Sequence, residues 1–440
     1  MLKSTRSILQ DVLNQFIRRK TLLICFICAV VFSCSSVNLN RELKGVNSIL
    51  EGDFYNNQFT GILIVNTDKT DTILALNSDK YFIPASNVKI FTLYSGLKLI
   101  PDSIPALKYI KQNDTLYFEG TGDPSLIHPF FNDTSALKFL ENHPNLVFSN
   151  SNFRDTKLGP GWAWEDFEFY FSPERSGLPA YGNVVKILES DSLMVSPGVF
   201  NNSIRRGKQN HKRSITENKF NIPENLIDTL EIPFITSNEL TQSLLQNELQ
   251  KPIKLSEGFP KGQKKVLYGM STDSIYKRML FESDNFLAEQ LMLVASSTLS
   301  DSLSFKISRN YILKNQLLFL NQQPRWVDGS GLSRYNLFTP ESFVHVLSKL
   351  KKEVAQDRLF HIFPMWDASG TITKPSTTNE TNFIYAKSGG MGNVYNLSGY
   401  LITKSGKVFI FSFMNNHFRM PSSEIRQKMY SILKKIHDLY

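Results

Sequence analysis

The stretch Pro84-Ala85-Ser86-Asn87-Val88-Lys89 places a hydroxyl and an amine three residues apart, at the start of a segment with helical spacing of apolar residues. Residues three apart on a helix share one face, with Cβ atoms about 5–6 Å apart. A serine is a weak nucleophile near neutral pH and needs an adjacent base. The spacing therefore indicates Ser86 as a nucleophile and Lys89 as its base. A helix N-cap at Ser86 beside a solvated lysine is the alternative.

The length and composition indicate a globular protein with more than one lobe. At 440 residues the chain exceeds what a single hydrophobic core usually organises. The formal charge is +9, of which the first 33 residues carry +4. The one dense basic run, at 205–213, has no interleaved aromatic residues and is typical of a solvated loop. We therefore expect no nucleic-acid partner.

The N-terminus resembles an export signal. Basic residues at 18–20 precede an apolar run at 21–32, which has the length of a signal-peptide core and is short for a spanning helix of ~20 residues. The sequence Val31-Phe32-Ser33-Cys34 resembles a bacterial lipobox. This predicts a signal peptide over 1–33, export to the periplasm, and lipidation of Cys34 as a membrane anchor. A plain signal peptide or an uncleaved anchor is the alternative.

Cysteine and histidine usage excludes several chemistries. The three cysteines, Cys25, Cys28 and Cys34, all lie in or beside the signal segment, so the body of the protein has no thiol nucleophile and no intramolecular disulfide. The seven histidines are scattered, and no phosphate-binding glycine loop is present. We expect neither a metal nor a cofactor.

Hydrophobic periodicity predicts a mixed organisation along the chain. Segments 58–65 and 71–76 have the alternation of a β-hairpin, and residues 86–100 follow as a helix. Residues 101–261 consist of short apolar runs broken by Asn, Asp, Pro and Gly, which favours a β-rich insertion. The aromatic block at 161–171 predicts core packing, with a binding surface as the alternative.

The second half of the chain returns to helices and then to strands. Helical patterning over 273–291 is interrupted by Ser283-Asp284-Asn285, which predicts either a polar tip facing a cleft or a helix boundary with a cap. Three strands are predicted at 384–390, 396–402 and 407–413. A final amphipathic helix begins near Ser422, and we expect it to pack on the sheet beside the helix at 86–100.

Three short motifs stand in a fixed order along the chain: Ser86-x-x-Lys89, Ser283-Asp284-Asn285 and Lys387-Ser388-Gly389. Together they resemble the Ser-x-x-Lys, Ser-Asp-Asn and Lys-Thr-Gly set of the active-site-serine penicillin-recognising enzymes. About 200 residues separate the first two motifs, far more than a compact β-lactamase has. With Gly122-Asp123-Pro124 and the turn-rich segment 328–334, the chain resembles the class C low-molecular-mass penicillin-binding proteins.

That resemblance implies a fold and a domain arrangement. The fold class would be α/β (α+β), a β-lactamase/transpeptidase-like domain whose antiparallel sheet is flanked by helices and interrupted by a β-rich insertion. Residues 41–100 and 262–440 would form the two parts of the catalytic domain, and residues 101–261 would form the insertion.

The resemblance also implies an activity, a serine D-alanyl-D-alanine carboxypeptidase/endopeptidase acting on peptidoglycan stem peptides and inhibited by β-lactams. Ser86 would form an acyl-enzyme, Lys89 would act as base once burial and the nearby Lys387 lower its pKa, and Ser283 would relay the proton to the leaving amine. The implied substrate-binding groups are Asn285, Lys387, Ser388 and the backbone N–H of Gly390, which would share the oxyanion hole with the N–H of Ser86.

Two other functions remain open from the sequence. A serine β-lactamase or esterase of the same superfamily would turn penicillin over rapidly. A non-catalytic cell-wall-binding homologue would keep the fold without the chemistry. Ser388 stands where the family usually has threonine, which keeps the hydroxyl but loses the methyl group that restrains χ1.

Overall fold

The computed structural model describes residues 49–50, 52–67, 71–207, 211–366 and 383–440. The predicted signal segment and Cys34 lie outside these residues. Within these ranges no helix combines the length and the apolar character required to cross a membrane.

The described chain alternates strands and helices. The strands are β1 (Phe59–Asn66), β2 (Thr72–Leu76), β3 (Ser103–Gln112), β4 (Thr115–Gly120), β5 (Asn145–Ser149), β6 (Val184–Glu189), β7 (Leu193–Ser196), β8 (Ile204–Arg206), β9 (Phe220–Ile222), β10 (Leu230–Pro233), β11 (Ile253–Ser256), β12 (Lys265–Ser271), β13 (Ile384–Met391), β14 (Val394–Ile402) and β15 (Val408–Asn416). The α-helices are α1 (Asp53–Asn56), α2 (Lys89–Leu99), α3 (Ser135–Glu141), α4 (Asn238–Leu249), α5 (Thr272–Phe281), α6 (Asn285–Leu299), α7 (Phe305–Tyr311), α8 (Pro340–Glu353), α9 (Gln356–Ile362) and α10 (Ser422–Leu439).

A five-stranded sheet joins the two ends of the described chain. Its strand order is β13-β14-β15-β1-β2, and every neighbouring pair is antiparallel. The predicted hairpin and the predicted three-stranded meander are both present. The first meets the second through the pairing of β1 with β15.

Helices cover both faces of this sheet. Side chains alternate across β1, so Leu63 packs with α2, α5, α6 and α8 on one face, while Ile62 and Ile64 pack with α10 on the other. The α2 and α10 helices therefore lie on opposite faces, and the expectation that they pack side by side is wrong. The predicted fold class, an antiparallel sheet flanked by helices, is confirmed.

The segment between α2 and α5 builds three further sheets. Their strand orders are β11-β5-β4-β3-β12, β10-β6-β7 and β8-β9. The β12 strand pairs with β3 through residues Lys265–Ser271, so the largest of these sheets extends past residue 261, where we predicted the insertion to end. The polar, glycine-containing segment 257–264 precedes β12.

Candidate active site

Ser86 lies in a single turn that enters α2. The 3-10 turn Ala85–Val88 begins at Ala85 with a positive φ of 47°, and α2 follows it directly at Lys89. Ser86 is half-buried, whereas the Lys89 side chain is fully buried at the first position of its helix. The turn therefore presents the hydroxyl at the edge of a cleft and places the amine behind it.

Three oxygen atoms surround the Lys89 amine. Nζ lies 3.0 Å from Ser86 Oγ, 2.7 Å from Asn285 Oδ1 and 2.7 Å from the carbonyl oxygen of Ser330. Burial lowers the pKa of Lys89 to about 8, although the carboxylates of Asp328, Asp284 and Glu289 oppose the shift. A substantial fraction of Lys89 is therefore neutral near physiological pH.

The second motif forms the junction between α5 and α6. Ser283 has a positive φ of 56° and breaks the helical path, and the side chain of Asp284 caps α6 by accepting a bond from the Leu287 N–H at 3.0 Å. Asn285 begins α6, accepts a bond from Lys89 and donates from Nδ2 to the carbonyl of Phe171 at 2.9 Å. The motif is therefore both a capped helix boundary and a polar tip.

The third motif lies on β13. Lys387 is fully buried, and its Nζ donates to the Ser388 carbonyl at 2.7 Å. Burial, reinforced by the positive charge of Lys89, lowers the pKa of Lys387 well below its ordinary value. A Cβ on Gly389 would lie 2.5 Å from the carbonyl oxygen of Pro84, so only glycine lets the strand cross this close to the turn that carries Ser86.

A cleft of about 870 Å³ opens above these elements. Four of the seven predicted site residues line it, namely Ser86, Ser283, Asn285 and Gly390. The remaining three, Lys89, Lys387 and Ser388, are buried next to it. The far wall comes from the insertion, through the segments 128–130, 161–173 and 182–184.

Sequence reasoning missed three buried residues that support this site. Asn87 donates from Nδ2 to the carbonyl of Lys387 at 3.0 Å, which fastens the Ser86 turn to β13. Asp328 accepts bonds from the Gly331 and Ser333 N–H groups and from the Trp162 indole. Glu289 accepts a bond from the Ser330 N–H at 2.8 Å.

Only one of the three left a signal in the sequence that points to a buried role. Glu289 is the only acidic residue of α6 and lies in a mostly apolar part of it, one helical turn after Asn285, so both residues project from one face. Asp328 lies in the turn-rich segment 328–334, where an aspartate is common for local reasons. Asn87 has no local pattern at all.

The fold and the order of the three motifs are those of the penicillin-recognising serine enzymes. The model of the D-Ala-D-Ala carboxypeptidase 3 (S13) family matches residues 43–196 and 234–436. The chain belongs to this family, which confirms the family that the motifs predicted.

Similar proteins carry related names. D-alanyl-D-alanine carboxypeptidase DacB of Haemophilus influenzae is 22% identical over 441 residues, which cover 85% of this chain and 91% of that protein. Penicillin-sensitive carboxypeptidase A of Dictyostelium discoideum is 23% identical over 401 residues, covering 75% of this chain and 76% of that one. The crystal structure of penicillin binding protein 4 from H. influenzae superposes with a TM-score of 0.71 at 18% identity, over 89% of this chain and 99% of that one.

Proposed function

We propose that Ser86 is the nucleophile with which this serine-type D-Ala-D-Ala carboxypeptidase attacks the carbonyl between the two terminal D-alanines of a peptidoglycan stem peptide. The carbonyl carbon bonds to Ser86 Oγ, the C–N bond to the terminal D-alanine breaks, and water then hydrolyses the acyl-enzyme. A penicillin enters by the same attack on its lactam carbonyl.

The arrangement of acceptors around Lys89 supports its role as the base. A neutral amine has two N–H groups and one lone pair. The Asn285 amide oxygen and the Ser330 carbonyl can only accept, so they take the two N–H groups and leave the lone pair for the Ser86 hydroxyl proton. This pairing, with Nζ 3.0 Å from Oγ, is the observation that carries the proposal.

The remaining roles follow from position. Ser283 lines the cleft next to Asn285 and would pass the proton to the leaving amine. The backbone N–H groups of Ser86 and Gly390 would hold the oxyanion, a contribution for which a single donor is typically worth about 3–4 kcal/mol. Lys387 and Ser388 would bind the terminal carboxylate of the substrate.

Labelling with a fluorescent penicillin tests the nucleophile. We expect the wild type to form a covalent adduct and Ser86→Ala to form none. Ser95→Ala is the matched control, because Ser95 lies on α2, which follows the Ser86 turn, is fully buried and bonds only to the Phe91 carbonyl among its described contacts. Equal labelling of Ser86→Ala and the wild type would remove Ser86 from this role.

The lifetime of that adduct separates the proposed activity from a β-lactamase. A DD-peptidase should hold the penicilloyl group for many turnover times of a peptide ending in D-Ala-D-Ala, whereas a β-lactamase releases it at once. Binding of cell-wall peptide without any release of D-alanine would instead favour the non-catalytic homologue.

The protein acts outside the cytoplasm, where peptidoglycan lies, and we propose that it is held there by a lipid anchor. The sequence at 31–34 supports cleavage before Cys34 and lipidation of its thiol. Cys34→Ser should abolish incorporation of a labelled fatty acid into the protein, while Cys28→Ser should not. A wild type that is already soluble would indicate a plain signal peptide.

A further inference from the structure

A buried ion pair lies behind the site and has no part in the mechanism above. Glu289 on α6 and Arg175 of the insertion are each only 1% exposed, and Arg175 Nη1 lies 3.4 Å from Glu289 Oε2. Removing two charges from water is costly, and a buried pair is weak evidence of a purely stabilising role. The position of the pair has to be explained by what it contacts.

Glu289 reaches Lys89 through a single residue. Its Oε1 accepts the Ser330 N–H at 2.8 Å, and the carbonyl oxygen of Ser330 accepts from Lys89 Nζ at 2.7 Å. Glu289 therefore fixes the peptide segment that supplies one of the three oxygens around the amine. Asn285, one helical turn earlier, supplies another of them directly.

Arg175 is held by several contacts within the insertion. Its Nε donates to the Thr156 carbonyl at 3.0 Å, and its Nη2 donates to the Leu158 carbonyl at 3.1 Å. Asp155 adds a carboxylate 3.4 Å from Nη2. One side of the guanidinium thus bonds to the 155–158 segment, and the other side faces Glu289.

We propose that Glu289, held by Arg175, is a positioning residue that orients the Lys89 amine through Ser330 and sets the pH at which that amine becomes a base. The inference rests on the proposed role of Lys89. It assigns the insertion a part in the chemistry, because Arg175 is the contact through which the insertion reaches the base.

The direction of the effect follows from the charges around the two groups. The charged groups that face Lys89 are Asp284, Asp328, Glu289 and Lys387. The charged groups that face Glu289 are Arg175 and Asp328. A negative charge near an amine favours its protonated form, so Glu289 raises the pKa of Lys89. Burial and Asp328 raise the pKa of Glu289 itself, and Arg175 opposes them.

The test is the pH dependence of the second-order rate constant for acylation by a fluorescent penicillin, measured on the full chain. In Glu289→Gln the charge is lost, so we expect the rising limb of the profile to move about one pH unit lower. In Glu289→Asp the charge remains but the shorter side chain withdraws from Ser330. We therefore expect the rising limb to stay at its wild-type pH and the rate constant on the plateau to fall about tenfold.

A matched control and a second variant keep the outcomes distinct. Glu119→Gln removes an equally buried carboxylate that pairs with Lys264 in the insertion, and should leave the limb in place. Arg175→Gln should move the limb in the same direction as Glu289→Gln, because an unpaired Glu289 takes up a proton. The inference would be overturned if the rising limb in Glu289→Gln and Arg175→Gln had its midpoint at the wild-type pH. An equal shift of the limb in Glu119→Gln would also overturn it. Absence of acylation in the wild type would instead overturn the proposed function.

Discussion

Gly331 provides a test of how closely the 328–334 segment packs against the turn that carries Ser86, the proposed nucleophile. A Cβ at this position would lie 1.9 Å from the carbonyl oxygen of Ala85 and 3.0 Å from the Ser86 nitrogen, and the backbone φ is +85°. Both the close approach to Ala85 and the positive φ disfavour a side chain at this position. The close approach would also displace the turn that carries Ser86. Gly331→Ala should therefore impair both folding and chemistry.

Gly406 allows the two effects to be separated. It has a φ of +83°, almost the same value, but a Cβ there would meet no atom within 4 Å. A left-handed non-glycine residue costs about 1–2 kcal/mol, which Gly406→Ala and Gly331→Ala should share. The overlap with Ala85 adds about 1–3 kcal/mol in Gly331→Ala alone. Replacing glycine by alanine lowers the conformational entropy of the unfolded chain in both variants. This contribution therefore cancels when their free energies of unfolding are compared.

Urea unfolding and penicillin acylation measure the two consequences. We expect the free energy of unfolding of Gly331→Ala to lie about 1–3 kcal/mol below that of Gly406→Ala. A displacement of the Ser86 turn by about 1 Å should slow acylation roughly 100-fold, with Gly406→Ala unaffected. Equal unfolding free energies and equal acylation rates in the two variants would refute the close packing of this segment against the Ser86 turn.

Further predictions concern the base and the turn. Acylation should rise with pH through the pKa of Lys89, about 8, because only the neutral amine accepts the Ser86 proton; a stopped-flow profile that is flat across this pH would contradict it. Lys89→Arg should abolish acylation, since a guanidinium stays protonated, and labelling at the wild-type rate would exclude the lysine as base. Asn87→Ala should lower the unfolding free energy by about 1–3 kcal/mol, because Asn87 is fully buried and donates to the Lys387 carbonyl; the exposed Asn145→Ala, measured by the same urea titration, should change it little.

Local sequence patterns were sufficient to predict secondary-structure elements such as the first hairpin and to recognise the three motifs in their order. The alternation at 58–65 and 71–76 predicted the β1–β2 hairpin, and a capped helix boundary at 283–285 was one of the two interpretations of that motif, because a cap acts within one helical turn. The three motifs also predicted the family, since their chemistry restricts which residue types can stand at each position.

The sequence could not predict contacts whose two partners are far apart along the chain. Glu289 pairs with Arg175, and its second partner is the backbone of Ser330, so neither partner leaves a periodic trace. Asp328 and Glu289, two of the carboxylates that oppose the effect of burial on the pKa of Lys89, were missed for the same reason. The placement of α10 opposite α2 was wrong because an amphipathic helix shows that it packs on a sheet but not on which face.

The pairing of β1 with β15 has a consequence for how the protein matures. Thr60 bonds to Asn415 across 355 residues, and Asn87 reaches Lys387 across 300. Contacts of such long sequence separation form late and slow the search for the native state. The turn that carries Ser86, the proposed nucleophile, thus gains its β13 partner only after that strand has been translated, so we expect a chain truncated before β13 to form no acyl-enzyme.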